Sequence, residues 1–279
     1  MTMLSYAGEQ VRRFDHDRFM TTIFAPPASR EHLLALYAFN IEIAKVGEIV
    51  SEPLIGKMRL QWWRDALDRL HAGERVAHAV AEPLGVAIAA CRLPRAPLDR
   101  LIDAREFDLE QTPPVDMAAF ERYADDTGAP LIELALAMLG HDGLIAVEAA
   151  RLTGMAWAMT GLLRAIPFHA RHRRCYLPRD RMDALGIRPG RLFDLKPEAE
   201  LPTLVEEIAA RALSCLAEAR RHVAGVPRAD RSPLLPMTLA RLYLGDLKRA
   251  GWDPFALERQ PPRRFQVISL AFGAMLGRY

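Results

Sequence analysis

Apolar residues recur at every third or fourth position in long runs along this chain, and the strict alternation expected of half-buried strands is scarce. After "PPASREH", the stretch from about 29 to 50 places Leu33, Leu36, Tyr37, Ile41, Ile43 and Ala44 at helical spacings. Ser29 is its candidate N-cap, and Pro53 closes it near Glu52. A second helix is predicted in "LIGKMRLQWWRDALDRLHAG", where Leu60, Trp63, Leu67 and Leu70 form an apolar stripe and Gly73 suits the C-cap. Trp62 lies off that stripe and needs a partner of its own. Further helices are predicted at about 79–91, 95–109, 116–139, 143–166, 202–223, 233–249 and 264–276, separated by turns rich in Pro, Gly or Asp. Residues 170–201 lack strong periodicity and read as short turns and a surface loop, not as a linker. The helices on either side are apolar enough to share one core. The pattern gives an all-α fold with a single domain over residues 1–279.

Charge narrows the function classes. The 37 basic and 35 acidic residues leave a formal net charge of +2, so no global field points to nucleic acid and any basic site is local. Cys91, Cys175 and Cys215 are far apart and odd in number, with neither metal-ligand spacing nor a disulfide framework, which fits a reducing cytoplasm. The stretch "MTMLSYAGEQVRRFDHDRF" has no apolar core of signal-peptide length, and no later run approaches the ~20 apolar residues of a membrane span. The expectation is a soluble, cytoplasmic protein, with peripheral contact to a membrane left open.

The segment with the most local chemistry is "LLRAIPFHARHRRCYLP", residues 162–178. It carries Arg164, Arg171, Arg173 and Arg174 with His169 and His172, and there is no Asp or Glu from Arg151 to Arg179. Pro167 removes a backbone donor and disfavours α geometry at Ile166, so the helix should kink or end there. Two readings stay open: a solvated basic turn at a helix C-terminus, or an anion site in which guanidinium groups bind phosphate directly. Cys175 has no base placed around it by a motif and reads as a small buried residue, not a nucleophile.

Four segments in order, "RFMTTIFAPPASREHLLALYAFN", "RLQWWRDALDRL", "REFDLEQTPPVDMAAFERYADDTGAPLIELALAMLG" and the basic segment above, resemble the squalene/phytoene synthase family of head-to-head prenyl synthases. The resemblance implies an isoprenoid (prenyl) synthase fold built around a central cavity. In detail, "AFNIEIAKVGEIVSEPLIGKMRLQWW" and "LLRAIPFHARHRRCYLP" resemble a divergent branch of that family, the complex I assembly factor 6 branch and its bacterial relatives. That branch implies an assembly partner in the respiratory complex.

Active members of the family hold magnesium between two facing carboxylate motifs, and the positions that align with the first are Ala44, Lys45, Val46, Gly47 and Glu48 here. Those aligned with the second are Ala165 and His169, with Gly161 where an Asn usually helps, while Arg164 and the Tyr176–Pro178 stretch still match. Magnesium needs oxygen ligands in near-octahedral order, and one acid cannot hold a cluster. The resemblance therefore implies a protein that has lost conventional catalysis and binds an isoprenoid diphosphate or lipid anion with no cofactor. The rival reading is an active transferase with a non-standard magnesium site at Glu48 and Glu52, which lie four apart as helix neighbours do; the plainer view of both is a solvated helix end. Tyr37, Phe19, Tyr243 and Arg259 lie near positions that line the family's substrate pocket, although aromatic residues at helical spacing also fit a core. The candidate anion-binding residues are thus Tyr37, Arg164, His169, Arg171, Arg174, Tyr243 and Arg259.

Overall fold

Two short helices precede the first strongly periodic segment, α1 (Tyr6–Phe14) and α2 (His16–Thr22). Each begins at a side-chain cap, because Ser5 accepts from the Gly8 amide at 3.1 Å and Asp15 from the Arg18 amide at 3.1 Å. The apolar pattern here is too short to register as a periodic helix, so this pair was not among the expected elements. The computed structural model describes residues 4–50, 52–110 and 112–259, and every regular element among them is helical.

The predicted 29–50 segment is two helices, α3 (Arg30–Ala44) and α4 (Val46–Ile49), broken at Lys45. Ser29 does stand at the N-cap position, but it sits in helical geometry at the end of a 3₁₀ turn, Pro27–Ser29, and its side chain makes no capping hydrogen bond. α5 (Pro53–His71) follows, with Gly73 at φ +80 just past its end, and Trp62 finds its partners in the rings of Trp63 and His78, each 5.0 Å away. α6 (Ala81–Cys91) and α7 (Arg95–Ala104) come next; the helix expected to reach 109 stops at Ala104, and a 3₁₀ turn, Phe107–Leu109, takes its place. The long pair α8 (Met117–Ala137) and α9 (Leu144–Arg164) forms the centre. The aperiodic stretch is not simply loop: it holds α10 (Ile166–Arg171), α11 (Arg179–Ala184) and α12 (Pro189–Phe193), each too short to show a period. α13 (Leu201–His222), α14 (Pro236–Arg249) and α15 (Pro254–Glu258) complete the described chain. The helix expected at 264–276 lies outside the described residues.

α8 is a wall shared by two apolar clusters. Phe120, Ala124, Ile132 and Leu136 pack with α9, α13 and α14, whereas Leu131, Leu134, Ala135 and Met138 pack with α1, α3, α5, α6 and α7. Opposite faces of one helix are thus both buried, so no polar stripe interrupts its second half. α8 and α9 touch backbone to backbone where Gly128 meets Gly154: a Cβ on Gly128 would lie 2.1 Å from the Gly154 carbonyl oxygen. Only glycine permits that approach. α9 ends at Arg164, Ala165 leaves helical geometry, and Pro167 occupies the first turn of α10, where its missing N–H costs nothing. The expected break is present but falls at Ala165, and Ile166, expected to leave α geometry, opens α10.

Candidate functional site

The break at Lys45 and the break at Ala165 lie on opposite sides of a cleft of about 310 Å³. One wall presents Ala44, Gly47, Glu48 and Val50; the other presents Leu162, Phe168, His169 and His172. Its floor is a polar network built on residues between α7 and α8.

At the centre of that floor is Asp108, buried in the 3₁₀ turn after α7. Its Oδ1 accepts from the Tyr123 hydroxyl at 2.6 Å and from the Tyr176 hydroxyl at 2.9 Å, and Arg105 Nη1 donates to its Oδ2 at 3.4 Å. Burial pushes both phenols well above their ordinary value, and the Asp108 charge pushes the same way, so they stay protonated donors. Arg105 also donates to the Tyr123 oxygen at 3.2 Å, while its buried Nε has no partner.

Arg174 ties the two sides together. Its Nη1 donates to the Asp108 carbonyl at 2.9 Å and its Nη2 donates to the Gly47 carbonyl. Gly47 is required for this approach, since a Cβ there would lie 2.9 Å from the Asp108 Cβ and 3.0 Å from Arg174 Nη1. His169 packs against Tyr176 with ring centroids 4.6 Å apart and the planes inclined by 53°. Burial, reinforced by the nearby Arg174 charge, holds His169 down to about 4, so it is neutral at physiological pH. Around it, Arg105 and Arg174 face Asp108 and the exposed Glu48. The cleft gains positive charge as pH falls toward 4 and His169 takes up a proton.

The sequence candidates divide between this cleft and other places. Glu48, His169 and Arg174 line it. Glu52 is exposed at the N-cap of α5 and lines neither wall. Arg171 does not reach the cleft, because both its Nη atoms go to Glu258, at 2.6 and 2.5 Å, on the outer surface. Arg259, just after α15, is exposed and absent from the lining. Tyr37 is fully buried in the core with the Arg18 guanidinium 5.8 Å from its ring centre, and burial pushes its phenol up. Arg164 and Tyr243 form a second polar group, in which the guanidinium lies 3.5 Å from the Tyr243 ring centre and the Tyr243 hydroxyl donates to Asp17 at 2.8 Å. Cys175 is buried beside Met182, and burial pushes its thiol up to about 11, which removes it as a nucleophile. Asp108 and Arg105 are the charged cleft residues that sequence reasoning did not single out.

The profile described as squalene/phytoene synthase matches residues 11–267. The chain belongs to the squalene/phytoene synthase family. NADH dehydrogenase (ubiquinone) complex I, assembly factor 6, of Mus musculus is 30% identical over 274 residues, which span 98% of this chain and 82% of that protein. Presqualene diphosphate synthase of Sinorhizobium fredii is 26% identical over 256 residues, 91% of this chain and 89% of that one. Two solved structures share the isoprenoid synthase fold. A dehydrosqualene synthase in complex with ligand superposes with a TM-score of 0.84 at 17% identity, over 98% of this chain and 96% of that one. The squalene synthase HpnC from Alicyclobacillus acidocaldarius does so with 0.79 at 23% identity, over 89% and 94%.

The donors of this family member do not fit a magnesium cluster held between two walls. Glu48 is the only carboxylate on the α3–α4 wall, His169 and His172 are the titratable groups on the other, and the oxygens of Asp108 already receive three donors. Among the described residues no group of three or more His, Cys, Asp or Glu side chains could hold a metal ion. Magnesium prefers oxygen ligands over imidazole.

Proposed function

We propose that this squalene/phytoene synthase family member is a single-domain, non-catalytic protein that binds an isoprenoid diphosphate or lipid anion in the cleft without metal and serves in respiratory complex I assembly. The observation that carries this reading is the composition of the two cleft walls: Ala44, Gly47 and Glu48 on one, and Leu162, Phe168 and His169 on the other. Ionising an allylic diphosphate requires charge stabilisation of the leaving group, and a neutral His169 with one exposed glutamate supplies little of it. Arg105, Arg174 and the ring N–H groups of His169 and His172 instead offer direct hydrogen bonds to an anionic head group. The assembly role follows from similarity to assembly factor 6 proteins over nearly the whole chain.

The test is incubation of purified protein with farnesyl and geranylgeranyl diphosphates plus magnesium, followed by product extraction. The expected result is no squalene, phytoene or presqualene diphosphate above a no-enzyme control. Magnesium-dependent product that disappears in Glu48→Gln would establish the rival transferase reading.

A further inference from the structure

α5 carries a feature that neither cleft nor core uses. Gly56, Leu60, Trp63 and Leu67 face inward, yet on the opposite side Leu54, Met58 and Trp62 recur every fourth residue with side chains 67%, 65% and 42% exposed, and Ile55 beside them is 43% exposed. A surface helix normally carries polar residues there. Lys57 and Arg59 lie on the two edges of this stripe, both exposed, and neither forms an ion pair among the described residues. No acidic residue occurs between 53 and 64. Trp62 is not loose: its packing on Trp63 and His78 fixes it half in and half out of the surface.

The position of the stripe matters as much as its composition. α5 packs against α4, whose Gly47 and Glu48 line the cleft, and Ile49 at the end of α4 is also exposed. The helix that carries the stripe therefore packs against the element that forms one wall of the cleft. No helix among the described residues is long and apolar enough to cross a membrane, so contact with lipid would be by a surface of this kind.

We propose that the exposed face of α5, Leu54, Ile55, Met58 and Trp62 edged by Lys57 and Arg59, docks the protein on an anionic lipid bilayer with the cleft at the membrane surface. Apolar side chains with an aromatic at the rim match the acyl and headgroup boundary, and cations on both edges complement an anionic headgroup layer. A bilayer is preferred over a protein partner because cations edge the stripe on both sides with no acid between 53 and 64, and because the helix carrying it packs against one wall of a cleft proposed to take a lipid-tailed anion. The inference rests on the proposed function for that preference only; vesicle binding is measured with the cleft empty, so the two fail separately.

The experiment is co-sedimentation of the full chain with vesicles of phosphatidylcholine alone and with about one-third phosphatidylglycerol. It is run beside Leu54→Ser/Met58→Ser and Lys57→Glu/Arg59→Glu, whose surface positions leave thermal stability unchanged. Binding to the anionic vesicles is expected, weakened about tenfold by either double substitution. Trp fluorescence should be quenched by brominated acyl chains, and less so in Trp62→Phe. Absence of binding, or binding indifferent to Leu54→Ser/Met58→Ser, overturns the proposal. So does a dimer in sedimentation that the same variant dissociates, which gives the stripe to a second copy. Binding only to native membranes that protease stripping abolishes gives it to a protein. Sedimentation without quenching of Trp62 gives the contact to another part of the chain.

Discussion

Asp108 and Asp17 are both aspartates taken out of water beside a tyrosine and an arginine, and they are held in opposite ways. Asp108 receives two phenol hydroxyls and a guanidinium, at 2.6, 2.9 and 3.4 Å. Asp17 receives one phenol, Tyr243, while Arg164 stacks on that phenol's ring and attracts Asp17 only through its charge. For Asp17 burial outweighs both, and its carboxyl is pushed above the ordinary value. The number of donors that converge, more than the presence of an arginine, decides whether a buried carboxylate becomes a structural keystone. The Asp108 group also connects the cleft walls through Arg174, so its integrity fixes the shape of the site.

The sharpest way to break this comparison is to delete each carboxylate. Asp108→Ala leaves Arg105 and two phenols without their acceptor and should cost about 3–5 kcal/mol, the range for an uncompensated buried charge, read as a lower urea midpoint. A loss no larger than that of an exposed substitution would show that Asp108 is not the keystone.

His169 gives the next largest effect. Its value in the fold, about 4, lies below the ordinary 6.5. The folded state therefore binds fewer protons than the unfolded one between these pH values. The stability it contributes is complete above pH 6.5 and is lost as pH falls toward 4, by up to about 3 kcal/mol. His169→Gln should flatten that part of the stability profile; an unchanged slope would place the titration elsewhere.

Asp17→Asn should have the smallest effect and the opposite sign. The carboxyl is raised in the fold, so the folded state holds its proton longer and stability falls as pH climbs from 3.8 through the raised value. The amide still accepts from Tyr243 and removes that decline, so thermal stability at pH 7 should hold or rise slightly. A clear drop would mean that the Arg164 charge contributes more than burial costs.

These effects also show what could be read from the sequence. The long helices were legible because burial imposes the 3.6-residue period on α8 and α9, and Pro167 announces the break that separates α9 from α10. The cleft's wall positions were legible through resemblance, as Gly47, Glu48 and His169 show. Asp108 was not, since its role depends on Tyr123 and Tyr176, 15 and 68 residues away, and on a 3₁₀ turn where a continuous helix was expected. The direction of each arginine was hidden for the same reason. Arg171 and Arg174 are three residues apart, and one goes to Glu258 outside while the other reaches the carbonyls of Asp108 and Gly47. Partners distant in sequence choose between them.

Glu48 separates the two accounts of the cleft, because the metal-free and magnesium readings assign it effects of opposite sign. Calorimetry of a non-hydrolysable farnesyl diphosphate analogue in EDTA, with native protein and Glu48→Gln, measures that sign. Removing an exposed negative charge from the rim of an anion site should tighten binding about threefold to fivefold, roughly 1 kcal/mol, with no magnesium required and with affinity rising as pH falls toward 4, where His169 takes up its proton. Binding that appears only with magnesium and is lost in Glu48→Gln would contradict the metal-free site.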